Sequence, residues 1–71
     1  MTLRVAVIGA GFIGADHAAA YAAQPDADLV GVVDPDPGRA ADLAGRHGAT
    51  AFTDLDGLLA EAHPDAASVC V

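Results

Sequence analysis

The stretch that decides the fold is VIGAGFIGADH (residues 7–17), in which three glycines fall within six residues. Glycine loses more conformational freedom on folding than any other residue, so this clustering needs a structural or functional reason. Before it, LRVAVI (Leu3–Ile8) is an apolar, β-branched run that predicts a buried strand. After it, an alanine-rich segment predicts a helix from residue 12 to about residue 24, ended by Pro25. The glycines therefore occupy a predicted strand-to-helix turn.

The rest of the chain continues to alternate between strands and helices. Asp36 and Pro37 predict the start of a second helix, which ends at Gly48, and a third helix ends before Pro64. Both helices repeat apolar residues at helical spacing, which predicts one buried face for each. The further strands are predicted at residues 29–33 (LVGVV), Thr50–Phe52 (TAF) and 67–71 (ASVCV). The order β-α-β-α-β-α-β predicts an α/β protein with a parallel sheet, a partial doubly wound Rossmann fold.

Composition excludes several classes of function. The 71 residues are 54% apolar, with no tryptophan, three arginines, no lysine and a formal net charge of −7. A nucleic-acid partner or an anionic membrane surface would need basic residues, so we expect neither. With Cys70 as its single cysteine the chain forms no internal disulfide, which fits the reducing cytoplasm.

The glycine spacing predicts a dinucleotide site. Gly9, Gly11 and Gly14 form G-x-G-x-x-G between a predicted strand and a predicted helix, the context that this fingerprint requires. Gly9 permits the tight turn, Gly11 lets a pyrophosphate approach the backbone, and Gly14 lets the helix pack closely on the sheet. The amides around Phe12 and Ile13 then face the phosphates, assisted by the helix dipole.

An acidic residue completes the predicted site. Asp34 follows LVGVV directly, twenty residues after Gly14, where a carboxylate accepts hydrogen bonds from the adenosine ribose. The alternative is that Asp34 only begins the turn DPDP. A 2′-phosphate would meet Asp34 and Asp36 without a basic residue directly after the strand, so NAD is favoured over NADP. Arg39 lies five residues on and either faces the adenine or is a solvated helix residue.

Other polar residues are interpreted as structural. His17 is expected to pack within the fold, and His47 and His63 to lie near helix ends. Cys70 is expected to be a small buried residue in the fourth strand. Asp54 and Asp56 are expected to begin the third helix. We predict no metal site, and the chain contains no recognisable set of catalytic side chains.

Nearly the whole chain resembles the N-terminus of the Gfo/Idh/MocA oxidoreductases, through RVAVIGAGFIGADHAAAYAAQPDADLVGVVDPDPGRAADLA, ATAFTDLDGLLAE and PDAASVCV. Family members commonly carry a histidine three residues after the last fingerprint glycine, which is His17 here. They also carry the strand-end acid followed by a helix with Arg-Ala, which Asp34 and Arg39-Ala40 match. The resemblance implies oxidation or reduction of a sugar, inositol or related polyol with NAD or NADP.

The resemblance also implies parts that this sequence does not contain. Family members place a Glu-Lys-Pro motif on a later strand, and a second α/β domain supplies the substrate site. We therefore expect residues 1–71 to be the first part of an NAD(P)-binding domain, inactive alone, whose fourth strand leaves an unpaired edge open to self-association. A non-catalytic nucleotide-binding or NAD-sensing module is the alternative, and a flavoprotein is a third possibility.

Overall fold

The computed structural model describes residues 2–70, which fold around one parallel sheet. Its strands are β1 (Leu3–Ile8), β2 (Ala27–Val33), β3 (Thr50–Phe52) and β4 (Ala66–Val69), and their order in the sheet is β3-β2-β1-β4. The helices are α1 (Phe12–Ala22), α2 (Pro37–His47) and α3 (Leu55–Glu61). The predicted order of elements and the parallel sheet are confirmed.

Helix capping explains where α2 and α3 begin. The Asp36 carboxylate accepts hydrogen bonds from the first-turn amides of α2, and the Asp54 carboxylate accepts one from the Gly57 amide. These bonds satisfy donors that the first turn of a helix cannot satisfy by itself. At the other end of α2, Gly48 adopts a left-handed conformation with φ 68°, which glycine accommodates without steric cost.

The apolar residues form one cluster on each face of the sheet. α1 and α2 contribute to the first cluster and α3 contributes to the second, so helices cover both faces of the sheet. The first cluster contains Val5, Val7, Ala18, Leu29, Val32, Leu43 and Ala44. The second contains Ala6, Val33, Phe52, Leu58 and Ala62.

β2 has one extra residue where it pairs with β1. Val5 pairs with Leu29 and the next residue of β1, Ala6, pairs with Gly31, so Val30 has no partner in β1. Gly31 then faces α3, because a Cβ at this position would lie 2.3 Å from Leu58 Cδ1. The missing side chain therefore makes room for the fully buried Leu58.

Several details differ from the sequence-based expectations. α1 ends at Ala22 rather than near residue 24, and the Gln24 amide bonds to the Tyr21 carbonyl three residues back instead of continuing the helical pattern. β2 begins two residues earlier, at Ala27. The fourth strand covers residues 66–69, with Cys70 beyond its end, and Val71 lies outside the described residues.

Two packing expectations are wrong. His17 is exposed on α1, so it has no packing role among residues 2–70. On α3 only part of the predicted apolar face is buried: Leu58 and Ala62 are covered, whereas Leu55 and Leu59 remain about half exposed. Helical spacing identifies residues that share a face, but the sheet has to extend far enough to cover that face.

Arg4 ties the end of α3 to the amino end of the sheet. Its guanidinium donates to the carbonyls of Ala62 and His63, while its backbone exchanges hydrogen bonds with Asp65. Carbonyls at and just after the end of a helix lack intrahelical partners, and this arginine satisfies those of Ala62, the C-cap of α3, and His63. One of the three arginines of the chain is thus committed to structure, far from the carboxyl ends of the strands.

The four strands end side by side. Ile8 pairs with both Val33 and Val69, and Val33 pairs with Phe52, so the carboxyl ends lie along one edge of the sheet. Segments that follow these residues therefore gather in one place. In open α/β sheets, ligands bind beyond this edge, where the direction of the chain reverses. No helix within residues 2–70 is both long and apolar enough to cross a membrane.

Candidate functional site

The three glycines of the fingerprint, Gly9 and Gly11 in the loop and Gly14 in the first turn of α1, have different structural roles. Gly9 has φ 104°, a conformation that L side chains rarely adopt. At Gly14 a Cβ would lie 1.7 Å from the Gly9 carbonyl oxygen, so α1 can approach β1 only without a side chain there. Both observations agree with the roles predicted from the sequence.

Gly11 differs from its two neighbours because the fold does not require it. Its backbone is extended, with φ −79° and ψ −162°, which any residue adopts. A Cβ built at Gly11 would have no atom within 4 Å. The absence of a side chain therefore keeps space open in front of the loop without serving the packing of the protein.

The start of α1 offers backbone donors to that space. Gly11 is the residue that caps the helix, and no side chain accepts a hydrogen bond from the first turn. The amides of Phe12 and Ile13 belong to this turn, where helix geometry supplies no acceptor. The side chains of Phe12 and Ile13 are exposed, at 95% and 64%. Such a helix start favours an anionic group.

Asp34 lies directly across from the glycine loop. It is only 7% exposed, and its two carboxylate oxygens accept different backbone amides. Oδ2 accepts from the Ala10 amide at 2.8 Å, and Oδ1 accepts from the Asp36 amide at 2.9 Å. The second bond is the local turn that the alternative interpretation of Asp34 predicted. The first bond reaches 24 residues back along the chain.

These contacts keep Asp34 ionised. The hydrogen bond from the Ala10 amide, followed by that from Asp36, holds the pKa of the carboxyl below its ordinary value of 3.8. Arg39 lowers it slightly further, while burial acts in the opposite direction. In neutral solution the site therefore presents a negative charge beside the start of α1.

A cleft of about 470 Å³ at the edge of the sheet unites most of the predicted residues. Gly9, Gly11, Asp34 and Arg39 line it. Sequence reasoning missed its other lining residues, which are Ile8, Val33, Pro35, Thr53, Leu55 and Cys70. Most of them end or directly follow a strand, so the parallel topology would have identified them. Cys70 is half-buried at this edge rather than fully buried within the strand.

Arg39 borders a second hollow, between the start of α1 and α2. This groove measures about 360 Å³, and Phe12 and Arg46 also border it. Arg39 is largely exposed, and its Nε lies 3.9 Å from Asp36 Oδ2, a distance at which a surface ion pair contributes little stability. Arg39 is thus largely exposed at the rim of both hollows.

The histidines do not gather at this cleft. His17 is exposed on α1, His47 is the last residue of α2, and His63 follows α3. Within residues 2–70, no group of three or more histidine, cysteine or acidic side chains is arranged to hold a metal ion. The prediction that His47 and His63 lie near helix ends is confirmed.

The cleft residues fit a dinucleotide. The open space at Gly11, the first-turn amides of α1 and the ionised Asp34 are the features that a pyrophosphate and its ribose require. The family model described as "Oxidoreductase family, NAD-binding Rossmann fold" (Gfo/Idh/MocA) matches residues 3–71.

Relatives of named function agree with that match. The chain is 41% identical over 70 residues to an inositol 2-dehydrogenase of Rhizobium meliloti, covering 99% of this chain and 21% of that protein. It superposes with a TM-score of 0.93 on a myo-inositol dehydrogenase from Corynebacterium glutamicum, at 41% identity over all of this chain and 21% of that one. GenD2 from gentamicin A biosynthesis, solved in complex with NAD, gives a TM-score of 0.94 at 43% identity, over 99% of this chain and 20% of that one.

The chain thus spans about a fifth of the length of these relatives. The family match, the parallel sheet and the glycine loop agree with one another along the described residues. They confirm the predicted partial Rossmann fold and NAD as the cofactor of the family. The chain belongs to the Gfo/Idh/MocA oxidoreductases, as part of their NAD-binding Rossmann domain.

Proposed function

We propose that this chain binds the adenosine diphosphate half of NAD in the cleft at the carboxyl edge of its sheet. It does so as the NAD-binding portion of an oxidoreductase that acts on the CH–OH group of a sugar, inositol or related polyol. The observation that carries the proposal is Gly11. Its extended backbone and open surroundings give the fold no reason for glycine, whereas a closely approaching pyrophosphate supplies one.

Each predicted residue has a distinct role in this proposal. Gly9 and Gly14 shape the loop, and Gly11 lets the pyrophosphate approach the backbone. The amides of Phe12 and Ile13 donate to the phosphate oxygens, and the dipole of α1 adds to the attraction. The Asp34 carboxylate accepts hydrogen bonds from the ribose hydroxyls. The bound nicotinamide cofactor would supply the hydride acceptor or donor.

Charge around the ribose favours NAD over NADP. A 2′-phosphate at this place would approach the ionised Asp34, with Asp36 two residues away. Arg39 provides the nearest positive charge, but it is largely exposed and lies beside Asp36. The attraction that it offers to a phosphate is therefore partly cancelled.

The substrate class and the division of labour along the protein rest on the relatives. The inositol dehydrogenases from Rhizobium meliloti and Corynebacterium glutamicum are 41% identical to this chain, which supports a polyol or sugar substrate. We propose that the catalytic motif and the substrate domain lie outside residues 1–71, so that this portion alone transfers no hydride. The three histidines support this division, since none of them lines the cleft.

The edge of the sheet and the single cysteine support two further proposals. β4 is an edge strand, and its Val69 is 68% exposed, so the isolated chain self-associates through this edge. We also place the protein in the cytoplasm, because a lone cysteine suits a reducing compartment.

A pair of glycine substitutions tests the proposed site. Gly11→Val should abolish NAD binding measured by calorimetry, because the branched side chain fills the space proposed for the pyrophosphate. Gly45→Val is the matched control, since a Cβ at Gly45 on α2 also has no atom within 4 Å and that residue does not line the cleft. The control should bind NAD as the unsubstituted chain does. Undiminished binding by a folded Gly11→Val variant would contradict the proposal.

A further inference from the structure

The carboxylate of Asp34 joins two separate loops. Its Oδ2 accepts the amide of Ala10, in the middle of the glycine loop, and its Oδ1 accepts the amide of Asp36, the residue that caps α2. The two loops are otherwise joined at this edge by the strand pairing, which ends with the bond from the Gly9 amide to the Val33 carbonyl. A single side chain therefore connects the starts of α1 and α2.

The Ala10 amide lies in a loop that few side chains fix. Ala10 stands between Gly9 and Gly11, two residues without side chains, and its own side chain is only partly buried against the first cluster. Glycine also gives the loop many alternative conformations. A charge-assisted hydrogen bond of 2.8 Å to a carboxylate that is only 7% exposed selects one of them.

We propose that Asp34 is a positioning residue for the glycine loop: its carboxylate holds the Ala10 amide, and with it the pyrophosphate-binding conformation, before any ligand arrives. This role is separate from contact with the ribose, although its effect on ligand affinity rests on the proposed function. A loop that is already ordered loses less entropy on binding, which strengthens binding.

The two roles are compatible in one carboxylate. A carboxylate has about four lone-pair sites for hydrogen bonds. Backbone amides use two in this structure, which leaves two for ribose hydroxyls. An asparagine has one carbonyl oxygen and one NH2 group, so it would satisfy one backbone amide and oppose the other. Alanine would satisfy neither.

The tether is tested first without ligand, by amide hydrogen exchange in the full 71-residue chain. Asp34→Ala should speed exchange of the Ala10 amide by about tenfold or more, the scale expected from losing a hydrogen bond to a charged group. Asp34→Asn should keep a cooperative fold and speed exchange of the Ala10 or the Asp36 amide, but not of both. Asp28→Asn removes the same charge from an exposed position at the other end of β2 and should leave both unchanged. Unaltered exchange of both amides in Asp34→Asn would overturn the proposal. This test holds even if Asp34→Ala does not fold.

Ligand binding then separates positioning from ribose contact. 2′,3′-Dideoxy-ADP presents the diphosphate but no ribose hydroxyl. If Asp34 only contacted the ribose, Asp34→Ala would bind this probe as well as the unsubstituted chain, or better because a negative charge is gone. The tether instead predicts about tenfold weaker binding of the probe. If Asp34→Ala binds 2′,3′-dideoxy-ADP as tightly as the unsubstituted chain or more tightly, the proposed effect of the tether on affinity is wrong. Failure of the unsubstituted chain to bind ADP or NAD would reject the proposed function, and the exchange measurement would still decide the tether.

Discussion

Replacing Gly14 with alanine tests the packing of α1 against the sheet. The new Cβ would lie 1.7 Å from the Gly9 carbonyl oxygen and 2.8 Å from its carbon, and both atoms belong to the backbone. Observed Cβ contacts do not fall below 3.0 Å, so the start of α1 would have to retreat by about 1.3 Å. No change of side-chain rotamer relieves this contact. Overpacking a core costs about 1–3 kcal/mol, and we expect a loss at the upper end of that range.

The same substitution on α2 provides the control. A Cβ at Gly45 meets nothing within 4 Å, so Gly45→Ala should gain up to about 1 kcal/mol from the higher helix propensity of alanine. The two variants should thus differ by roughly 3 kcal/mol, which for a domain of this size corresponds to roughly 12 °C or more in Tm. Thermal and urea unfolding followed by circular dichroism measure the difference. A Gly14→Ala variant as stable as Gly45→Ala would refute the packing argument.

Three further predictions concern the core, the acid dependence and the chemistry. Gly31→Ala would place a Cβ 2.3 Å from Leu58 Cδ1 and should lower the free energy of unfolding by about 1–3 kcal/mol in urea titrations; an unchanged midpoint would contradict the packing of α3 on β2. The pKa of Asp34 is lowered in the folded state, so its ionised carboxylate stabilises the fold fully above its ordinary pKa of 3.8. This stabilisation is lost as the pH falls through the lower native pKa. Asp34→Asn should therefore make Tm fall less steeply as the solution is acidified. The chain with NAD and a polyol should give no change in nicotinamide absorbance, and sustained turnover would show that it carries its own catalytic group.

The order of strands and helices along the chain and the glycine loop could be predicted from the sequence because they depend on local patterns. The order β3-β2-β1-β4 within the sheet was not predicted. Gly9 and Gly14 were assigned correctly, since the loop has to turn and α1 has to approach β1. The tether from Asp34 to Ala10 was not predicted. A strand-end acid indicates ribose recognition, whereas its backbone partner depends on how a loop 24 residues away folds back over it.

Other misses have tertiary causes. The shift of register between Val5 and Ala6 depends on how β1 and β2 pair, which no single segment encodes. The exposure of His17 and of Leu59 depends on which surfaces cover α1 and α3, and helical spacing alone does not specify that. The cleft residues Thr53 and Cys70 were missed because each became relevant only when the strand ends were placed side by side.

The most direct test of the central claim is an amide chemical-shift titration of the chain with NAD. We expect the largest changes on residues 9–14 and on Asp34, because Gly9, Gly11 and Asp34 line the cleft and the other residues belong to the same loop and to the first turn of α1. Residues at the amino edge of the sheet, such as Arg4 and Asp65, should remain unchanged. Saturating NAD that leaves residues 9–14 and 34 unperturbed, or that shifts only residues elsewhere, would contradict the claim that this loop binds the cofactor.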